Sequence, residues 1–408
     1  MTEPPPIAAI IALGITQIIG YGTLYYSFSI LAPDMSQDLG WPSEAVFGAL
    51  SAALLIGGLM APALGKWIDR FGAGRIMTAG SAIAAAALVA CALAPGKISF
   101  VAALIGIEAA SNLVQYGAAF ALLVQIRPQA AQRSITYLTL IGGFASTIFW
   151  PITTMLHAEM SWQHVYLVFA GLNLVICLPI HAVLSRQMHR NRERSGKASP
   201  ARRVEGTLAA SARRMGFVLM ALSFSLQSLV SSAILVHMVP LLSGLGLGAT
   251  AALVGTFFGP SQVLSRFTNM LFGVNLPPLK LAIIAATLMS AAVFLLIPTA
   301  PSVAGAIAFA VVFGLGNGLF SIVTGTLPLL LFGSDGYGKM QGRVMAARLI
   351  VSAVAPFALA YLIGSIGVVW SLALTSAAGV LAVLVLVAIG QLARNGSASD
   401  AAATQTSG

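Results

Sequence analysis

Charge is what this sequence has least of: 21 basic and 11 acidic residues make 8% of the 408-residue chain, whereas soluble domains carry about a quarter. With 58% apolar residues and a mean hydropathy of +0.93, the chain cannot form a water-soluble globule. Cysteine is nearly absent. Cys91 and Cys177 sit singly inside apolar runs, without ligand spacing, and read as small core residues. Also missing are an ATP-binding loop, paired intramembrane carboxylates and a His-rich metal motif. No enzyme activity, cofactor or metal is therefore expected. A sensor would be expected to carry an output domain, and none stands out beyond one polar linker. The start, Met1 to Pro6, has no basic n-region and no cleavage site, so the first apolar run is expected to be retained.

Long apolar runs are what the sequence does have. About 20 apolar residues cross a bilayer, and such runs are expected near 7–32, 44–64, 76–94, 99–124, 135–157, 163–184, 215–241, 249–273, 280–299, 303–331, 344–363 and 368–392. These twelve runs are numbered here as spans 1 to 12. Basic residues fall on one side: Lys66, Arg70 and Arg75; Arg127 and Arg133; the cluster from Arg186 to Arg214; Lys280; and Lys339, Arg343 and Arg348. The other side carries only Lys97. The positive-inside rule then predicts cytoplasmic termini in a bacterial inner membrane. The net charge of +10 is accordingly a topology signal and does not indicate nucleic acid.

The expected organisation is an N-terminal six-helix bundle (1–184), a basic cytoplasmic linker (185–214), a C-terminal six-helix bundle (215–392) and a disordered polar tail (393–408). The linker can lie on anionic lipid. A faint repeat, Leu39-Gly40-Trp41 before span 2 and Leu245-Gly246-Leu247 before span 8, agrees with duplication, which places a substrate site at the interface of the repeats.

Polar side chains are costly in hydrocarbon, so their positions mark helix faces toward protein or water. Span 4 carries Glu108, Ser111, Asn112, Gln115 and Tyr116 at helical spacing, and span 1 carries Gln17, Tyr21 and Tyr25 in steps of four. Span 7 has Ser223, Gln227 and Ser231. Span 10 has Asn317, Ser321 and Thr324, and span 8 has Gln262, Arg266 and Asn269. These residues either line a cavity or tie helices together. The ionisable pair Glu108 and Arg266 stands well inside the spans, about 10 Å apart in depth at 1.5 Å per residue. For Arg266 an anion-binding role competes with bonds to helix carbonyls. For Glu108 a proton site, a contact to a substrate cation and a buried neutral carboxyl are all open. His237 reads as a satisfied interface histidine.

Between spans 2 and 3 lies a charged island, Gly65-Lys66-Trp67-Ile68-Asp69-Arg70-Phe71-Gly72-Ala73-Gly74-Arg75, expected to be a tight aqueous loop. Its pattern of Gly, three residues, Asp-Arg, then Gly and a basic residue resembles the signature loop of the major facilitator superfamily. That resemblance implies an all-α integral membrane fold of twelve transmembrane helices in two pseudo-symmetric six-helix bundles, with spans 1, 4, 7 and 10 lining the cavity. It implies a conformational gate at Gly65, Asp69, Arg70, Gly72 and Arg75, in which Asp69 meets the start of span 11 near Gly342. The runs Gly259-Pro260-Ser261-Gln262-Val263-Leu264-Ser265-Arg266, Gly316-Asn317-Gly318, Gly325-Thr326-Leu327-Pro328-Leu329 and Gly336-Tyr337-Gly338 resemble a bacterial branch near the monocarboxylate and oxalate/formate porters. A span 8 Arg binds the substrate carboxylate in monocarboxylate porters, which matches Arg266. Their span 1 Lys and span 8 Asp are absent here.

The expected function is secondary transport of small organic anions such as monocarboxylates by alternating access, by a monomer using protons or a counter-ion. The expected substrate contacts are Arg266, Gln262, Tyr21, Tyr25, Asn112, Tyr116, Gln227 and Asn317, with Glu108 as proton-coupling candidate. Export of a hydrophobic or toxic compound, drug or metalloid, is the alternative. It is disfavoured because span 5 reads Ile141-Gly142-Gly143-Phe144-Ala145-Ser146 and lacks the Gly-Pro-x-x-Gly-Gly element of drug antiporters, and because the two cysteines lie on different helices. A nontransporting sensor is a distant third.

Overall fold

The computed structural model describes residues 5–194, 203–248, 250–273 and 275–406. Among these, eleven helices are long and apolar enough to cross a membrane. The run expected as span 8 is instead two pieces, Thr250–Gly255 and Phe258–Phe272, separated by a turn at Thr256 and Phe257. Gly255, Gly259 and Pro260 explain the break, because glycine weakens a helix and proline cannot donate to the preceding turn. The twelve-helix architecture is thus present with one span interrupted.

Two compact units make up the chain, Met1–Val204 with Gly336–Ala346, and Glu205–Asp335 with Ala347–Gly408. The start of span 11 therefore groups with the first unit. Its cause is local. A Cβ on Gly65 would overlap the Gly338 carbonyl oxygen, so the two backbones touch where neither carries a side chain. The middle of the expected linker, 195–202, lies outside the described residues. On one side of it span 6 continues as helix to Arg194; on the other, the Thr207 and Leu208 N–H groups donate to Leu330 and Leu331 within the second unit. The tail expected to be disordered continues the last helix to Thr406, since no proline follows span 12 and Ala401–Ala403 favour helix.

Within the first unit, span 3 packs against spans 4 and 6, span 2 against span 4, and span 1 against spans 5 and 6. Apolar helices gain little from the hydrophobic effect in lipid, so close approach through small residues and dispersion holds them. Span 3 buries Ala73, Gly74, Gly80, Ser81, Ala84 and Ala85. Edge-to-face rings Phe100/Trp162 and Phe149/Phe169 tie spans 4 and 5 to span 6. Buried His181 bonds Ser81 (2.8 Å) and Thr16 (3.0 Å), joining spans 6, 3 and 1, a clamp the sequence pattern did not single out. Cys91 and Cys177 are buried in this core.

The second unit repeats most of these pairings. Span 9 packs against spans 10 and 12, the longer piece of span 8 against span 10, and span 7 against span 12. Spans 1 and 7 end alike, on Gly40 (φ 56°) and Gly246 (φ 97°), the glycines of the faint sequence repeat. Phe224 meets Phe320 edge-on at 5.5 Å.

Candidate functional site

The charged island is not a loop. Span 2 remains helical through Phe71 and span 3 restarts at Ala73, so Lys66, Asp69 and Arg70 occupy the last turns of a helix that outruns the apolar stretch. The whole reversal is Gly72 at φ 87°, a value that only glycine adopts without strain. Gln125 of span 4 holds both sides of it, accepting from the Ala73 N–H (2.9 Å) and donating to the Ile68 carbonyl (3.4 Å). Asp69 accepts from the backbone N–H groups of Gly338 (2.8 Å) and Lys339 (2.7 Å). These are the first N–H groups of the helix Tyr337–Ile366, which lack intrahelical partners and attract negative charge. The sequence placed Asp69 near Gly342; the bonds form at the preceding turn. Arg70 stacks on Phe71 (5.2 Å), and Arg75 is exposed.

In the first unit the expected polar stripes are interrupted by irregular backbone. Span 4 breaks at Gln115 (φ −81°, ψ −167°) between Val114 and Tyr116. The Val114 carbonyl thereby loses its helical donor and takes the Gln17 Nε2–H instead (2.8 Å). Span 1 contains a π turn at Gly22–Tyr26, whose extra residue rotates the later side chains around the helix. Steps of four therefore fail here: Tyr21 packs on Tyr116 (4.8 Å) and adjoins Tyr26 (6.4 Å), while Tyr25 is 50% exposed. Asn112 donates to the carbonyls of Gly57 (3.3 Å) and Glu108 (3.0 Å). It also lines a small cavity with Gly65, Ile68, Gly117, Gly342 and Met345. Glu108 is buried.

In the second unit, Arg266 is buried and donates to Ser321 Oγ (3.0 Å), the Gly318 carbonyl (3.3 Å) and Gln262 Oε1 (3.2 Å). Ser231 donates to Asn317 Oδ1 (2.9 Å), linking spans 7 and 10, and His237 donates to the Pro356 carbonyl (2.9 Å). A second arginine enters that the sequence reading counted with the cytoplasmic residues. Arg348 lies inside span 11, whose helix starts at Tyr337, seven residues earlier than expected. Its Nε–H donates to Ser228 Oγ (3.0 Å) and its guanidinium lies over the Phe320 ring (5.2 Å). Arg266 and Arg348 thus engage adjacent residues of span 10, Ser321 and Phe320. Next to Ser228, Gln227 is 1% exposed, and both of its amide atoms lack a hydrogen-bond partner among the described residues. The signal for Arg348 was available: an arginine beyond the predicted start of an apolar run.

The family model of the Major Facilitator Superfamily matches residues 13–275. No curated protein matches the chain. Among solved structures, the human organic anion transporter MFSD10 (TETRAN) is similar over 94% of this chain and all of its own, with TM-score 0.71 at 13% identity. The proton:xylose symporter XylE bound to 6-bromo-6-deoxy-D-glucose gives 0.69 at 14%, covering 93% of this chain and 95% of its own. The E. coli fucose:proton symporter FucP gives 0.67 at 14%, covering 95% and 98%. At these identities the likeness is one of fold.

Proposed function

The chain belongs to the Major Facilitator Superfamily, and from that premise we propose that this membrane transporter carries small organic anions, monocarboxylates among them, by alternating access. The observation that carries the reading is that Arg266 and Arg348 engage adjacent residues of span 10, while span 7, which Arg348 reaches through Ser228, carries a buried amide, Gln227, with no partner of its own among the described residues. A guanidinium stays charged in any surroundings and holds a carboxylate through parallel N–H donors. An unsatisfied buried amide is costly, and a bound carboxylate or hydroxyl relieves it. Gln262 and Asn317, bonded to Arg266 and Ser231, orient this face.

We assign proton coupling to Glu108 and the conformational gate to Asp69, whose bonds at the start of span 11 form in one state and break in the other. The positive-inside distribution supports cytoplasmic termini in an inner membrane, and the protein is proposed to act as a monomer.

Uptake of labelled monocarboxylates into proteoliposomes, with and without an inward proton gradient, tests the proposal. Gradient-stimulated uptake in wild type, lost in Arg266→Gln at normal insertion, is expected. If the wild type carries none of the panel, or inserted Arg266→Gln carries it normally, the anion reading fails.

A further inference from the structure

Spans 1 and 5 are each interrupted, and beyond the interruptions they pack together. Span 1 leaves its π turn at Gly22–Tyr26 as the end segment Ser27–Leu39, and span 5 divides into Ala131–Gly142 and an end segment Ala145–Glu159. At the level of the π turn the contact is tight: a Cβ on Gly22 would overlap the Phe149 ring, and Tyr26 meets Trp150 edge-on at 6.0 Å. Phe149, Thr153 and His157 follow in steps of four and so share one face of span 5. At the far end of that face the His157 Nε2–H donates to Asp34 Oδ2 (2.9 Å). Between the two contacts, Thr153 Oγ1 and His157 Nδ1 are buried with no hydrogen-bond partner among the described residues.

One turn further along span 1, Asp38 Oδ2 accepts from the Trp162 Nε1–H and the Gln163 Nε2–H at the start of span 6 (2.7 Å each). Two carboxylates four residues apart thus hold the hairpin of spans 5 and 6, and their partners differ in kind. Indole and amide donors keep their hydrogens, whereas a histidine side chain changes charge between about pH 5 and 8. The Asp34 side chain is 47% exposed, so solvent screens the pair and its strength is modest. Position amplifies it: His157 stands about 20 Å beyond the break of span 5, so a bend of about 5° there moves it by about 2 Å. The other titratable groups on the packed elements are placed differently. His164 bonds Ser161 (2.9 Å) and is exposed, Glu159 is exposed, Tyr25 and Tyr26 lie in the π turn, and Tyr166 is one turn into span 6 from Trp162. Asp34 is the one carboxylate in an ion pair with His157 among the described residues.

We propose that Asp34 and His157 form a proton-operated latch between the end segments of spans 1 and 5. With the imidazole protonated, opposite charges hold the segments together. With the proton lost, that attraction goes and the end of span 5 swings out about its break, while Asp38 keeps the start of span 6 in place. Span 2 runs from beside this latch to Asp69, so the latch responds to pH on the side of the membrane opposite the gate. The inference goes beyond the transport reading and holds whatever is carried.

The test uses the full-length protein in nanodiscs, in a Cys91→Ala, Cys177→Ala background, with spin labels at exposed positions. One pair, Gln37→Cys with Ala158→Cys, reports spans 1 and 5; the other, Gln37→Cys with Leu167→Cys, reports spans 1 and 6. Label separations are read by electron paramagnetic resonance at about pH 5 and about pH 8. The separated population of the first pair should rise about two- to five-fold at the higher pH, and the second pair should not change. His157→Arg, which keeps its charge, should hold the segments together at both values. His157→Gln and Asp34→Asn should each abolish the response, whereas His164→Gln and Glu159→Gln should leave it intact, with a thermal melt of each variant checking the fold. Equal separations at both pH values in the wild-type latch overturn the proposal. So does a response that survives in folded His157→Gln or His157→Arg, or one that disappears in folded His164→Gln.

Discussion

Asp69→Asn isolates one interaction with a countable strength. The carboxylate holds two backbone N–H groups, Gly338 at 2.8 Å and Lys339 at 2.7 Å. Hydrogen bonds to a charged group contribute about 1.5–3 kcal/mol each, and a negative charge at a helix N-terminus adds about 0.3–1 kcal/mol. Asparagine keeps one acceptor but turns an NH2 toward the other N–H, so one bond and the terminal charge effect are lost. Asp69 is exposed, and water screens the pair, which brings the expected loss to about 1–2 kcal/mol. At 1.36 kcal/mol per factor of ten, the bonded state then loses about 5- to 30-fold in population. Hydrogen exchange reads this directly. The peptide containing Gly338 and Lys339 should exchange faster by that factor in Asp69→Asn, while peptides from the cores of spans 3 and 9 stay unchanged. Turnover in proteoliposomes should slow without loss of inserted protein. Unchanged exchange at Gly338 and Lys339 would refute the assignment of Asp69 as the group that holds this helix start.

Three further substitutions probe the second unit. Arg266→Lys keeps the charge but cannot reach Ser321, Gly318 and Gln262 with one planar group, so carboxylate uptake should fall by about ten-fold or more at normal surface expression; uptake above half of wild type would sink the fork argument. Arg348→Gln should also reduce uptake, and it should lower Tm because the Ser228 bond and the Phe320 contact are lost together; an unchanged melt and unchanged uptake would make Arg348 incidental. Gln227→Leu removes two unsatisfied buried polar atoms, so it should stabilise the ligand-free protein by roughly 1–2 kcal/mol, read as a higher Tm, while weakening uptake. A lower Tm would show that the amide has a partner in the membrane.

Span placement was readable from the sequence because hydrocarbon enforces it: a run that leaves its backbone unpaired or its charges exposed cannot cross. Errors arose where helices outrun the apolar stretch. The charged turns of span 2 through Phe71 and of span 11 from Tyr337 are helical, because hydrogen bonding along a helix does not stop where the lipid does. Arg348 was hidden for another reason: it falls inside the expected span 11 but was counted with the basic residues of the loop before it. Stripe assignments failed for a different reason. Gln17, Tyr21 and Tyr25 share a face only on a regular helix, and the π turn at Gly22–Tyr26 turns Tyr25 away. No residue in that stretch announces a π turn, whose cause lies in packing between helices.

The two units keep most of one set of helix pairings, because packing in lipid asks only for small or apolar residues at the contacts and many combinations serve. Polar side chains are under no such shared demand, and they have diverged by sign. The first unit holds the buried carboxyl of Glu108; the second holds Arg266, Arg348 and the unsatisfied amide of Gln227. If the fold alone had dictated these polar positions, the carboxyl on span 4 would have a counterpart of like charge on span 10. That span carries Asn317, Ser321 and Thr324 instead, and the charge of the second unit comes from spans 8 and 11.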